Sequence, residues 1–401
     1  MKKVLIVSHA MELGGVEKSL LGLLNAFDDK KYQIDLFLLR HEGELFEYIP
    51  KNVNILPEIP AYTVLARPLI KVVKEKHILL AIARTYGKVK AILYEKFHSF
   101  QDSGVELEYS HKYTCAFMPK IQKKKEYDIA ISFLTPHYFV WKRVKAKKKI
   151  AWIHTDYSRI QINIKSEEKM WSAYNYIVSI SKDAARSFRK VFPMLENKIV
   201  IIENILPVKI IQQQMNEFDI TDEMKGKGIK LLSIGRYCKA KNFDNIPDIC
   251  KKILKSGIEV TWYIIGYGSD EVIIKKHIIE KKMQNNIILL GKKENPYPYI
   301  KACDVYVQPS RYEGKSVAVR EAQLLGKPVI ITNYETAQSQ LENGVDGFIV
   351  PLNNEACAEQ MVSILKDKIK LNKISNVCSA RDYSNQGEIK KLYALIEQRK
   401  Q

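Results

Sequence analysis

A chain of 401 residues, 46% of them apolar, holds material for two cores and is too long for one ordinary domain. Its formal charge of +19, with +13 in residues 1–200 and +6 in the rest, favours an anionic partner: nucleic acid, an acidic membrane surface or a phosphorylated small molecule; Lys-, Ile- and Asn-rich usage produces the same excess without one. Six cysteines without a C-x-x-C pair argue against a disulfide framework or zinc knuckle and for a reducing cytosol, and no apolar run approaches the roughly 18 residues of a membrane span.

The opening MKKVLIVSHAMELGG has only a short apolar run after its lysines and reads as a first strand rather than a signal peptide. GGVEKSLLGLLNAF follows with helical spacing, and YQIDLFLLR is a second strand. Residues 67–100 are helical by spacing, with Lys and Arg interleaved among apolar residues. They read either as a pair of ordinary surface helices or as an amphipathic element on anionic lipid. YDIAISFL, KIAWIHT, YIVSIS and KIVIIEN are further short strands, and WKRVKAKKK (141–149) reads as a solvated turn or a binding patch. The polar stretch 207–228 is placed as the linker. A second series then runs KLLSIGR, NIPDICKKILKSG, VTWYIIG, VIIKKHIIEKKM, NIILLG, YPYIKAC, DVYVQPS, PVIITN and GFIVP, alternating strand and helix. Short apolar strands separated by helices predict parallel sheets covered on both faces, so the expected class is α/β with two Rossmann-like doubly wound domains in tandem. The boundaries predicted are 1–205, 206–384 and a closing helix at 385–401.

SRYEGKSVAVREAQLLGKPVI carries Glu313 and Glu321 eight positions apart. On one helix they would lie about 12 Å apart along the axis and about 80° apart around it, too far for a close acid/base pair. The pattern instead predicts a strand, a loop holding Glu313, and a helix with Glu321 inside it. The first-turn amides around Lys315, Ser316 and Val317 then form an anion site, and Gly314 admits a ligand to the backbone. That spacing suits a long ligand with an anionic middle and hydroxylated ends, as in a nucleotide sugar. SIGRYCKAKN sets Arg236 and Lys241 at the carboxyl end of a strand, the edge of an open parallel sheet where ligands collect. There they would bind a diphosphate and stabilise departing charge.

Together S-I-G-R with its downstream K-N, I-I-G-Y-G, I-I-L-L-G, D-V-Y-V-Q-P-S-R-Y-E-G, E-x7-E and G-K-P-V-I resemble the retaining GT-B glycosyltransferases of family 4. The likeness extends to G-G-V-E-K, I-V-S-I-S-K and I-I-E-N in the first half and to the tail, omitting about 60–125. It implies two domains facing across a cleft, the first binding acceptor and the second a nucleotide sugar. It further implies that Glu321 grips the ribose, Glu313 the donor-sugar hydroxyls, and Arg236 and Lys241 the diphosphate. The amides of Gly314 to Val317 would line sugar and phosphate, with Gly266 and Gly268 in a ligand-binding glycine loop. Gly14 and Gly15 would face the phosphates, Lys292 would meet the base, and His154 would lie near the donor sugar. Lys315 departs from the apolar residue frequent there and leaves the sugar pocket differently charged.

The expected function is therefore metal-independent, retaining transfer of a hexose from a nucleotide sugar, by family habit a UDP-sugar, to a glycan or lipid-linked oligosaccharide. The setting implied is capsule or exopolysaccharide assembly, in the cytoplasm or at the inner membrane face. No Asp-x-Asp triplet is present to hold a metal, and no cofactor is expected. The alternatives are a nucleotide-sugar epimerase on the same scaffold and a basic nucleic-acid binder, which lacks the aromatic-and-basic pattern of RNA modules. A nicotinamide oxidoreductase lacks its G-x-G-x-x-G between first strand and helix.

Overall fold

The structure, a computed structural model, describes residues 1–397 apart from 64, 66, 101, 102 and 159. The last four residues of the expected closing helix, 398–401, lie outside the described residues. The chain divides into two units, Met1–Ile205 with Gln386–Gln401, and Leu206–Asn385.

The first unit holds β1 (Lys2–Ser8), β2 (Tyr32–Leu38), β3 (Asn54–Ile55), β4 (Tyr127–Ser132), β5 (Ala146–Ile153), β6 (Tyr176–Ser179) and β7 (Ile199–Ile201). They form one parallel sheet in the order 3-2-1-4-5-6-7. Alternation along β1 explains its unbroken apolar run: Val4 and Ile6 enter one core, Leu5 and Val7 the other. The two-residue β3 escapes the sequence pattern because it is too short to carry a period.

The second unit holds β8 (Ile229–Ile234), β9 (Val260–Ile265), β10 (Ile287–Gly291), β11 (Val305–Gln308), β12 (Val329–Thr332) and β13 (Phe348–Val350). Their order, 10-9-8-11-12-13, is again parallel throughout. Leu231 and Leu232 face opposite cores, as in the first unit. The chain is thus a tandem of doubly wound α/β domains. In each sheet the order reverses beside the first strand, leaving a crevice at the carboxyl ends of β1 and β4, and of β8 and β11.

Two expectations are corrected. Residues 207–228 are no linker: they contain the helix Val208–Gln214 and bury Ile211, Ile220 and Met224 in the second domain's core. Their sparse apolar residues are spent on that surface, so no period shows. WKRVKAKKK is not a solvated turn, because β5 begins at Ala146. Lys148 is buried and donates to the Leu395 carbonyl at 2.8 Å, and Lys149 donates to the Trp141 carbonyl at 2.5 Å. Their stems line the sheet while the ammonium groups satisfy helix-end carbonyls. Lys148 thereby fastens the closing helix Ile389–Glu397, whose Tyr393 ring also stacks on Tyr32 at 4.5 Å.

Candidate functional site

The crevice between β8 and β11 gathers the residues singled out in the second domain. After β8 the chain makes a 3-10 turn at Lys239–Lys241, then a left-handed residue at Asn242, which an Asn side chain tolerates. After β11 the loop runs through Ser310 to Glu313. Arg311 ties the two loops together. Its guanidinium bonds both carboxylate oxygens of Asp244 at 2.9 and 2.7 Å, and its amide donates to the Ala240 carbonyl at 2.8 Å.

This stitching brings Lys241 Nζ to 2.5 Å from Glu313 Oε1, a pair with side chains 19% and 12% exposed. Ser310 Oγ donates to the same Oε1 at 2.6 Å. A relay stands behind it: Tyr306 OH donates to Gln308 Oε1 at 2.7 Å, and Gln308 Nε2 to Ser310 Oγ at 2.9 Å. Glu313 is thus held on one oxygen, while Oε2 meets no protein donor among the described residues. Arg236 stands exposed at the end of β8, without an ion-pair partner among the described residues.

The helix Val317–Leu324 follows, and its N-terminus differs from the expected open amide cup. Ser316 is buried, its N–H donates to Gln340 Oε1 at 2.7 Å, and its carbonyl accepts from Gln340 Nε2 at 3.2 Å. The Ser316 amide is therefore taken by protein. Gly314, Lys315 and Val317 are half-buried around it. Gln340, 24 residues downstream, fills a helix-end position that no local pattern reveals. Glu321, 1% exposed, accepts from Tyr297 OH at 2.8 Å and does not present its carboxylate to solvent.

Gly266 and Gly268 shape the loop under Arg236. A Cβ at Gly266 would fall 1.9 Å from the Gly235 carbonyl oxygen, and one at Gly268 2.4 Å from that of Tyr237. Only glycine lets this loop lie on residues 235–237, where Tyr237 N–H bonds the Tyr267 carbonyl at 2.7 Å. The side of each that a Cβ would occupy thus packs on backbone. Lys292 is exposed, its ammonium 5.3 Å from the Tyr267 ring centroid.

In the first domain Gly14 caps the helix Gly15–Ala26 from an extended conformation. His154 follows β5 with its ring 4.6 Å from that of Phe133, and its Nε2 is buried without a partner among the described residues. Burial pulls its pKa down to about 3, so the imidazole is neutral. It lines a cavity of about 230 Å³ with Glu108, His111, His137, Glu167 and Trp171. Glu108 Oε1 accepts from Tyr138 OH at 2.5 Å and Ser166 Oγ at 2.6 Å, whereas Oε2 has no partner among the described residues. Trp152 Nε1, another unpartnered buried atom, belongs to a second lining residue. Glu167 accepts from Tyr157 OH and Trp171 Nε1, and burial raises its pKa to about 7. Sequence reading missed Glu108, His111, His137 and Glu167. Glu108 and His111 share one helical face three residues apart, but nothing in that spacing links them to His137 or Glu167.

Residues 215–378 match the family model described as Glycosyl transferases group 1. A UDP-Gal:alpha-D-GlcNAc-diphosphoundecaprenol alpha-1,3-galactosyltransferase of Escherichia coli is 27% identical over 188 residues, 45% of this chain and 48% of that protein. The chain thus spans about half the length of that curated relative, and 64% and 22% of two others. Among solved structures, Anabaena HepE with UDP and glucose aligns at TM-score 0.69 and 13% identity, over 99% of both chains. A point mutant of S. aureus TarM, in complex with Fondaparinux, alpha-GlcNAc-glycerol and UDP, aligns at 0.70 and 13% identity over 99% of this chain and 100% of that one. In fold, the chain is a two-domain GT-B protein, and residues 215–378 carry the likeness to group 1 glycosyl transferases.

Proposed function

We propose that the chain is a retaining glycosyltransferase that moves a hexose from a UDP-sugar to a glycan acceptor carried on a lipid diphosphate, in bacterial surface-polysaccharide synthesis. The observation that carries this reading is the Lys241–Glu313 pair beside the exposed Arg236, at the carboxyl edge of a parallel sheet where its strand order reverses. Arg236 and Lys241 offer charge to a diphosphate, and Glu313 Oε2 accepts from sugar hydroxyls. The substrates in the name of the E. coli relative, and the UDP bound by HepE and TarM, support the donor and acceptor classes.

In this reading the ribose approaches the Tyr297–Glu321 pair, and the acceptor glycan uses the His154 cavity, whose unpartnered polar atoms suit hydroxyls. Arg236 and Lys241 together offset the charge of the diphosphate, so no divalent metal takes part. The test is calorimetric titration with UDP and a panel of UDP-hexoses, then turnover with and without EDTA. UDP binds, and turnover persists in EDTA. Glu321→Gln keeps an acceptor for Tyr297 OH and so keeps the fold, yet weakens UDP binding about 10- to 100-fold. Unchanged UDP affinity in that variant removes the ribose assignment, and turnover abolished by EDTA removes the metal-free one.

A further inference from the structure

The helix Ile78–His98 buries one face and leaves another bare. Leu80, Ala81, Ala83, Gly87 and Ala91 turn inward, and Gly87 lets the helix Val105–Thr114 approach closely: a Cβ there would lie 3.0 Å from the Tyr109 carbonyl oxygen. The outward face carries Leu79, Ile82, Tyr86, Val89, Leu93 and Phe97, from 50% to 85% exposed. Their spacing of three and four makes one continuous stripe along about five turns. The neighbouring helix Leu69–Lys74 adds Ile70, 72% exposed. Monomeric soluble proteins seldom leave such a stripe open, so something covers it.

Charge decides between occupants. Residues 67–98 hold eight Lys and Arg against two Glu, a net of +6. A second copy would bring +6 against +6 around the seam, whereas an anionic lipid surface complements it. Lys90 and Lys96 sit on the same helix, with stems long enough to lie along apolar surface while the ammonium groups reach headgroups. We infer that this helix lies flat on anionic membrane, with the stripe in the acyl boundary and the lysines at the headgroups. The surface lies outside the sequence motifs that resemble glycosyltransferases and does not rest on the sugar-donor reading.

The experiment is co-sedimentation of the full chain with vesicles of phosphatidylcholine alone, or containing about one third phosphatidylglycerol. The wild type is expected to bind the anionic vesicles, and raised salt to weaken the binding. Because Ile82, Leu93 and Phe97 are exposed, the triple variant Ile82→Gln, Leu93→Gln, Phe97→Gln folds; it should bind anionic vesicles at least about tenfold more weakly. Its UDP titration is unchanged, which separates this surface from the donor site. Sedimentation equilibrium supplies the competing outcome. A wild-type dimer that the triple variant dissociates, with no vesicle binding, makes the stripe a homodimer seam and overturns the inference. Equal vesicle binding by variant and wild type overturns it too.

Discussion

Replacing Lys241 by alanine is expected to lower turnover of a UDP-sugar by about 10²- to 10³-fold. Two losses combine. In that reading the diphosphate loses one of its two cations, and Glu313 loses one of the two partners that hold Oε1. Glu313→Ala should cost a similar factor, because Lys241 then has no carboxylate to orient it. The double variant is expected to be little worse than either single one, as for residues that act as a unit. Steady-state kinetics on the four proteins of this cycle decide the matter. Losses that multiply would show two independent contacts and would break the pair's proposed joint role. Circular-dichroism melting accompanies the kinetics, since both side chains retain some exposure and the fold should survive.

Acid lability of the first domain is the second large effect. Burial, reinforced by neighbouring histidines, lowers His111 and His137 from 6.5 to about 3. The unfolded chain therefore takes up protons below pH 6.5 that the folded one refuses, and stability is lost as pH falls from there towards 3. Each of these two buried groups contributes about 1 kcal/mol per pH unit. Glu167 opposes them: burial raises it to about 7, so its contribution is full below 4.5 and lost as pH rises through 7. His9 and His154, lowered to about 4 and about 3, act in the same sense as the other two histidines, so the net expectation is a fall of roughly 2–3 kcal/mol between pH 6.5 and 5.5. Fluorescence follows it by domain, because Trp141, Trp152 and Trp171 lie in the first and Trp262 in the second. His137→Phe should flatten the slope by about one proton. A denaturation midpoint independent of pH between 7 and 5 would sink this account.

The fold was largely legible because both sheets are parallel and buried on both faces. Strands such as VLIVS and VTWYII are then continuous apolar runs between helical stretches, and they survive without tertiary information. What failed was local sequence whose partner is remote. Lys148 looks like a surface charge until its carbonyl partner at Leu395 is seen, 247 residues away. The site divides in the same way. Arg236, Lys241 and Glu313 could be placed because strand ends at a reversal of sheet order must converge. Arg311, which fixes their spacing through Asp244, reads as one more cation in a basic loop. Ser316 could not be judged without Gln340, and Gly266 is required where its loop packs on the backbone of Gly235.

The most direct measurement is a crystal structure of the chain soaked with a UDP-hexose. The diphosphate is expected within hydrogen-bonding distance of Arg236 and Lys241, with a sugar hydroxyl on Glu313 Oε2. Density for the nucleotide elsewhere, with the Lys241–Glu313 pair untouched, would contradict the assignment.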